Sequence, residues 1–249
     1  AFQNCKSLKS FTIPATVKHI GSSCFAGSGL TSIVIPKTLN SLGEGTDGKL
    51  TYGTYTFSGC ESLKTVIFEE GIQVINNYAF RGCTALTTVV IPASVTEIGN
   101  NAFANCTALE TVTFAEGTKI AKMGTSVFMS SGIKTFEFPK AITEIPSSTF
   151  ASCANLTGVT FLGEITSIGS SAFTGCTSLE SFTIPETVTT LGASAFKGSG
   201  LKSIYIPGSI TSSSSYVFQG CEQLETVVFA EGIEKLGTSM FEDCINLKS

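Results

Sequence analysis

The chain has 249 residues, 42% of them hydrophobic and 14% charged, with a formal net charge of −4 and a pI near 5.1. That is enough apolar material for a sizeable core, and the absence of a Lys/Arg cluster removes the footprint of a nucleic-acid binder or a basic membrane-surface helix. No apolar run approaches the roughly 20 residues that span a bilayer, so direct membrane insertion is not expected, and Ser, Thr and Gly keep the surface wet.

The first winding sets the plan. Phe2 is followed by Cys5 and Leu8, and "LKSFTIP" then alternates apolar and polar residues up to Pro14. Alternation predicts a strand with one face buried, and proline ends it because it has no N–H for a ladder. "VKHIG" follows, with apolar residues three apart and a glycine before the return to Phe25. It is too short for a useful helix, so the pattern predicts a second extended or 3₁₀-like segment. The phenylalanine recurs at 57, 80, 103, 128, 150, 173, 196, 218 and 241, at intervals of 22 to 25 residues apart from one gap of 32. A near-constant period of this size marks a solenoid.

Later windings vary the theme. The cysteine-to-leucine spacer shortens to "SG" before Leu30, Ile133 and Leu201. The long gap falls in "GEGTDGKLTYGTYTF", residues 43–57, a ten-residue insertion carrying Tyr52 and Tyr55. Strands close on a proline at 14, 36, 92, 139, 185 and 207, whereas those ending on Phe68, Phe114 and Phe229 turn through "EEG" or "AEG", where glycine supplies backbone freedom. "GTKIAKMG" adds two residues, and Pro146 takes the glycine's place, which predicts a local break. "LESFTIP" repeats the strand of the first winding, and "ITSSSSYVF" puts Ser213 where Ile or Leu is the rule and Ser214 where glycine is, predicting a loosened outer edge. The chain opens and closes inside a repeat, so it reads as a piece of a longer protein.

One winding cannot bury its own Phe, Leu and Ile, so windings must stack, like residue on like, at roughly 4.8 Å. The expected fold is mainly β: a single solenoid domain over residues 1–249, of about ten to eleven coils of 22–25 residues. It carries a parallel β-sheet on its concave face and short extended or 3₁₀ segments on the other side. Ten such coils extend over about 50 Å. All 19 phenylalanines fit ladder or inward strand positions, leaving none as a surface anchor.

The composite pattern "CxxLxxVxIPxSVTxIGxxAFxxC" resembles the leucine-rich repeat of BspA-like proteins, also called the Treponema pallidum type. Proline, glycine, Ala-Phe and cysteine recur at that family's offsets over nearly the whole chain. The resemblance implies a secreted or cell-surface, hence extracellular, location and a part in adhesion to host proteins or other cells. It supplies no site residues, because its motif positions are core positions.

Little chemistry stands out. Eight of the nine cysteines lie three residues after a ladder phenylalanine and read as a buried column of free thiols; Cys24 takes the small-residue place before Phe25. Serine interrupts the column at 28, 131 and 199 and the total is odd, which disfavours a disulfide framework. A column also spreads ligands along a line rather than around one zinc. His19, the single histidine, sits at an outward position with no acid marked out beside it. Glu110, Glu180 and Glu225 share a row with Lys64, Lys134 and Lys202, a mixed-charge rim rather than a catalytic carboxylate pair. No phosphate-binding loop opens a helix. No catalytic residue, cofactor or metal site is therefore assigned.

The outward strand positions are more informative. Two residues after the leucine Ser and Thr dominate, at Ser10, Ser32, Thr65, Thr88, Thr111, Thr135, Ser181, Ser203 and Thr226, a polar row. Two residues further on the row is mixed, with Val34, Ile67 and Val90 on consecutive coils and Tyr205 later. β-propensity alone accounts for this apolar strip, or a partner covers it. The candidate partner-binding residues are Tyr52, Tyr55, Val34, Ile67, Val90 and Tyr205. The first functional reading is a non-enzymatic binding or adhesion module for a protein or glycan on a host or neighbouring cell. The runner-up is a rigid spacer without its own ligand, and an enzyme ranks below both.

Overall fold

The computed structural model describes residues 1–39, 55–210 and 213–249. The chain forms two compact units, Ala1–Ile133 and Lys134–Ser249. In the first, four-residue strands β1 (Ser32–Ile35), β2 (Thr65–Phe68), β4 (Thr88–Ile91) and β6 (Thr111–Phe114) alternate with two-residue strands β3 (Val74–Ile75), β5 (Glu97–Ile98) and β7 (Lys122–Met123). β1 pairs with β2, β4 with β6, and β5 lies between β3 and β7, all parallel. In the second unit, β8 (Thr135–Phe138) pairs with β10 (Gly158–Phe161) and β13 (Ser203–Ile206) with β14 (Thr226–Phe229). There the short strands β9 (Glu144–Ile145), β11 (Ser167–Ile168) and β12 (Thr190–Leu191) form a second parallel ladder. Among the described residues there is no helix of either kind, and the second segment is extended at β3, β5, β7, β9, β11 and β12, while residues 15–21 form no strand.

The predicted alternation is visible in the strands. Ile33 and Ile35 point inward and are buried while Ser32 and Val34 are exposed, and Pro36 stops the strand. Behind the strands the ladder phenylalanines stack. In the first unit the rings of Phe2, Phe25, Phe57, Phe80, Phe103 and Phe128 follow one another at 5.1 to 5.9 Å and near-parallel. In the second, Phe150, Phe173, Phe196, Phe218 and Phe241 do so at 5.2 to 5.6 Å. Burying each ring contributes roughly 2–3 kcal/mol, and the stacked contact adds about 0.5–1.5 kcal/mol. Phe229 departs from the expectation that every phenylalanine is internal: it meets Phe241 edge-on at 6.1 Å and is 41% exposed.

The segment around each ladder phenylalanine is a chain of tight turns. In the winding of Phe80, Ala79 N–H bonds to Asn76 O at 3.3 Å with Tyr78 at φ +58°, and Cys83 N–H bonds to Phe80 O at 3.1 Å with Gly82 at φ +73°. Both are type II turns, which need a left-handed third residue. The glycine four residues before the phenylalanine serves a different purpose. A Cβ on Gly99 would lie 2.6 Å from Asn77 N of the previous winding, so the two backbones meet too closely for any side chain.

Three expectations need correction. The two "SFTIP" segments, residues 10–14 and 181–185, are not strands. Each places a phenylalanine at the first inward position: Phe11 lies 4.7 Å from Phe2 and 5.1 Å from Phe25, and Phe182 lies 5.1 Å from Phe173 and 4.9 Å from Phe196. β1, β2, β4, β6 and β10 carry the smaller Ile or Val there, so these two segments press an added ring against the ladder. Phe136 remains within β8, so ring size alone does not decide it. Pro146 causes no break: it follows β9 directly, and its carbonyl accepts Thr149 N–H at 3.3 Å and Thr149 Oγ1–H at 2.7 Å. Ser213 is tied in rather than loose, accepting Gly237 N–H at 2.8 Å and donating to Met240 Sδ at 3.2 Å.

Candidate partner-binding surface

Strand register decides which outward side chains meet. In the first unit Val34 stands opposite Ile67 and Ser32 opposite Thr65, while Val90 stands opposite Thr113. β2 packs beside β4. Val34, Ile67 and Val90 therefore cross three neighbouring strands, 46%, 54% and 59% exposed. The exposed hydroxyls of Ser32, Thr65, Thr88 and Thr111 run alongside. A groove of about 520 Å³ adjoins Val34 between β1 and residues 10–15.

The other candidates are dispersed. Tyr205 belongs to the second unit and faces Val228; the two are 45% and 50% exposed. Val228 stands four residues after Leu224, in the same row as Tyr205 and one coil further on. Tyr55 is half-buried at a left-handed position and stacks on Tyr78 with ring centroids 4.5 Å apart, a partner that the strand pattern does not reveal. Tyr52 and most of the insertion lie outside the described residues.

Charges are arranged for cohesion between windings. Lys202 pairs with Glu180 at 2.6 Å and Lys248 with Glu225 at 2.9 Å along the rim, and Lys122 with Glu97 at 2.9 Å between β7 and β5. Such exposed pairs contribute about 0–1 kcal/mol each. Glu70 accepts the amides of Ala93 at 2.9 Å and Ser94 at 3.1 Å, and these bonds, Ala93's foremost, hold its carboxyl below the ordinary range. The cysteine column is chemically quiet. Burial pushes the Cys83 thiol well up and the Cys106 thiol to about 12. Among the described residues no three His, Cys, Asp or Glu side chains converge as metal ligands. His19 is exposed.

The repeat pattern and the geometry agree with known proteins. The model of the BspA type leucine rich repeat region matches residues 1–46, 49–157 and 143–249, in six copies. A leucine-rich repeat protein from Bacteroides ovatus is 26% identical, with a TM-score of 0.59 over 99% of this chain and 67% of that one. The pneumococcal vaccine antigen PcpA is 20% identical, with a TM-score of 0.51 over 96% of this chain and 76% of its own, and shares the fold. A leucine rich cell surface protein from Faecalibacterium prausnitzii is 25% identical over 95% of this chain and 86% of that one, with a TM-score of 0.46. Among curated proteins none matches.

Proposed function

This chain belongs to the BspA type leucine-rich repeat family, and from that premise we propose that it is a non-enzymatic binding module of the cell surface or its surroundings, holding a protein or glycan. The observation that carries the reading is the strip of Val34, Ile67 and Val90. Its members are about half exposed on three neighbouring strands, although the inward positions beside them already fill the core. Aliphatic side chains bordered by a hydroxyl row suit a partner that buries the first and hydrogen-bonds the second. The paired Tyr205 and Val228 offer a second contact of the same kind.

The test is a screen of the intact chain against matrix proteins and oligosaccharides, repeated with the double variant Ile67→Ser, Val90→Ser. Binding should weaken by about 5- to 150-fold, since removing two buried aliphatic contacts costs on the order of 1–3 kcal/mol, while the melting curve stays within a few degrees of the parent. A partner bound equally well by both chains removes the strip from the interface. A folded chain with no partner at all favours the rigid spacer.

A further inference from the structure

Two tyrosines occupy one backbone position on neighbouring windings. Tyr55 and Tyr78 each stand two residues before a ladder phenylalanine, at φ +26° and +58°. Bulky side chains seldom take the left-handed region, and a residue held there points to a use for its side chain. Elsewhere the described members of this row are serine or asparagine, apart from Tyr216. The two phenol rings lie 4.5 Å apart between centroids and 13° from parallel. Successive ladder phenylalanines of the same unit keep 5.1 to 5.9 Å. The backbone fixes this approach. Phe57 N–H donates to Ala79 O at 2.8 Å and Gly59 N–H to Arg81 O at 2.7 Å, so the windings are bonded through the residues that follow the tyrosines. Tyr55 and Tyr78 are both half-buried, so solvent reaches part of each.

Rings stacked in this way offer a ligand little, because one face of each is spent on the other. What the geometry favours is a reaction between them. Removing one electron and the phenolic proton from tyrosine gives a phenoxyl radical, whose unpaired electron is shared with the ring carbons ortho to the oxygen. Two such radicals held face to face couple at those carbons far faster than radicals that must meet by diffusion. The cysteines of the same windings do not take this part: Cys60 and Cys83 are free thiols buried away from a dissolved oxidant.

We propose that Tyr55 and Tyr78 are a site of oxidative modification, at which a dityrosine bond joins two windings, with hydrogen peroxide as the oxidant and a haem peroxidase as the one-electron carrier. The new bond links one ortho carbon of each ring. The hydrogens on those two carbons move to the phenolic oxygens as the rings regain aromaticity. The protein thus gives up two electrons and two protons, and one peroxide becomes two waters. The bond ties residues 23 positions apart and so restricts the unfolded chain. It needs no bound partner, and it stands or falls apart from the binding-module reading.

The intact chain is treated with a haem peroxidase and limiting hydrogen peroxide, digested, and read by peptide mass spectrometry; N-acetyltyrosine in a parallel tube shows that the oxidant couples phenols. One product within the monomer should dominate: the peptides of Tyr55 and Tyr78 joined with the loss of two hydrogens, accompanied by dityrosine fluorescence. Tyr55→Phe and Tyr78→Phe keep the rings but have no phenol to oxidise. Each should remove that product and leave the circular-dichroism melt of the untreated chain unchanged, whereas Tyr52→Phe and Tyr216→Phe should leave the yield intact. In urea at which N-acetyltyrosine still couples, the share of the 55–78 product should fall by about tenfold or more, because the fold no longer holds the rings together. The crosslinked chain should also unfold at a higher urea concentration than the untreated one. The proposal is overturned if N-acetyltyrosine couples and the folded chain does not, or if Tyr205 and Tyr216 are oxidised while the 55–78 product is absent. It is equally overturned if coupling runs mainly between chains, or if folded and urea-treated chains give the product in equal share.

Discussion

Each buried cysteine does more than fill a small space. The Sγ–H of Cys60, Cys83, Cys106, Cys176, Cys221 and Cys244 donates to the carbonyl of the ladder phenylalanine one winding earlier, at 3.1 to 3.2 Å. Where serine interrupts the column it joins the same network, Ser28 lying 3.4 Å from Cys60 Sγ and Ser199 3.4 Å from Cys221 Sγ. The sequence suggests apolar fillers, and only the stacking shows that each thiol satisfies a buried carbonyl. The thiolate is the reactive form, so raising the thiol pKa suppresses alkylation. In native protein treated with iodoacetamide at about pH 8, Cys5, which is exposed, should be labelled first. Cys83, Cys106 and Cys176 should resist until denaturant is added. Peptide mass spectrometry reads this directly, and equal labelling of Cys106 and Cys5 contradicts the buried column. Glu70 gives a second residue-scale prediction. Its folded-state pKa is lowered from 4.5, so its contribution is present above that value and is lost as pH falls through the depressed one. Glu70→Gln should therefore lower the melting temperature at neutral pH, and the gap to the parent should close on acidification below 4.5; a gap that does not depend on pH would mean that the amide bonds of Ala93 and Ser94 are not the cause.

At the scale of the element, close approach of the windings sets sequence requirements that propensity does not. Gly99→Ala should destabilise by about 1–3 kcal/mol, the range for forced overpacking, because the new Cβ meets the backbone of Asn77. Gly158→Ala, with nothing near its Cβ, should stay within about 0.5 kcal/mol. Urea titration of both variants checks the contrast, and similar losses would place the glycine requirement in the unfolded chain instead. This contrast also shows how far the sequence carries. Period, strand polarity and proline stops are local patterns, and β1, β4, β8 and β13 fall where alternation and proline put them. The row of Val34, Ile67 and Val90 was legible for the same reason. The departure of residues 181–185 from the sheet was not, because "SFTIP" has a regular alternation and the contact of Phe182 with two rings from other windings is written in no local pattern. The left-handed residues two places before each ladder phenylalanine were equally hidden. Tyr78, Asn101 and Ser171 share no side-chain property that marks the turn they occupy.

At the scale of the whole molecule, cohesion within each unit is a sum of nearest-neighbour terms along its own ladder, as in other solenoids. Phe80 has ring neighbours on both sides, Phe57 at 5.3 Å and Phe103 at 5.5 Å, and is fully buried. Phe241 has one ladder neighbour, Phe218 at 5.4 Å, and is half-buried. Truncating a buried phenylalanine to alanine costs about 3–5 kcal/mol where the surroundings cannot collapse. Here they cannot, because the windings on either side are held apart by backbone bonds such as Phe80 N–H to Ala102 O at 2.8 Å. Phe80→Ala should show that full loss, whereas Phe241→Ala, with one ladder contact and part of its surface already wet, should lose roughly half as much. Denaturant titration gives the magnitudes, and amide exchange gives the range. Protection should fall in the windings of Phe57, Phe80 and Phe103 and persist at Phe196 and Phe218, because a nearest-neighbour stack transmits a lost contact only to adjacent windings. Equal losses at both sites, or protection lost uniformly over the chain, would show that stability is pooled in a global core and that the phenylalanine ladder is a consequence of stacking rather than its cause.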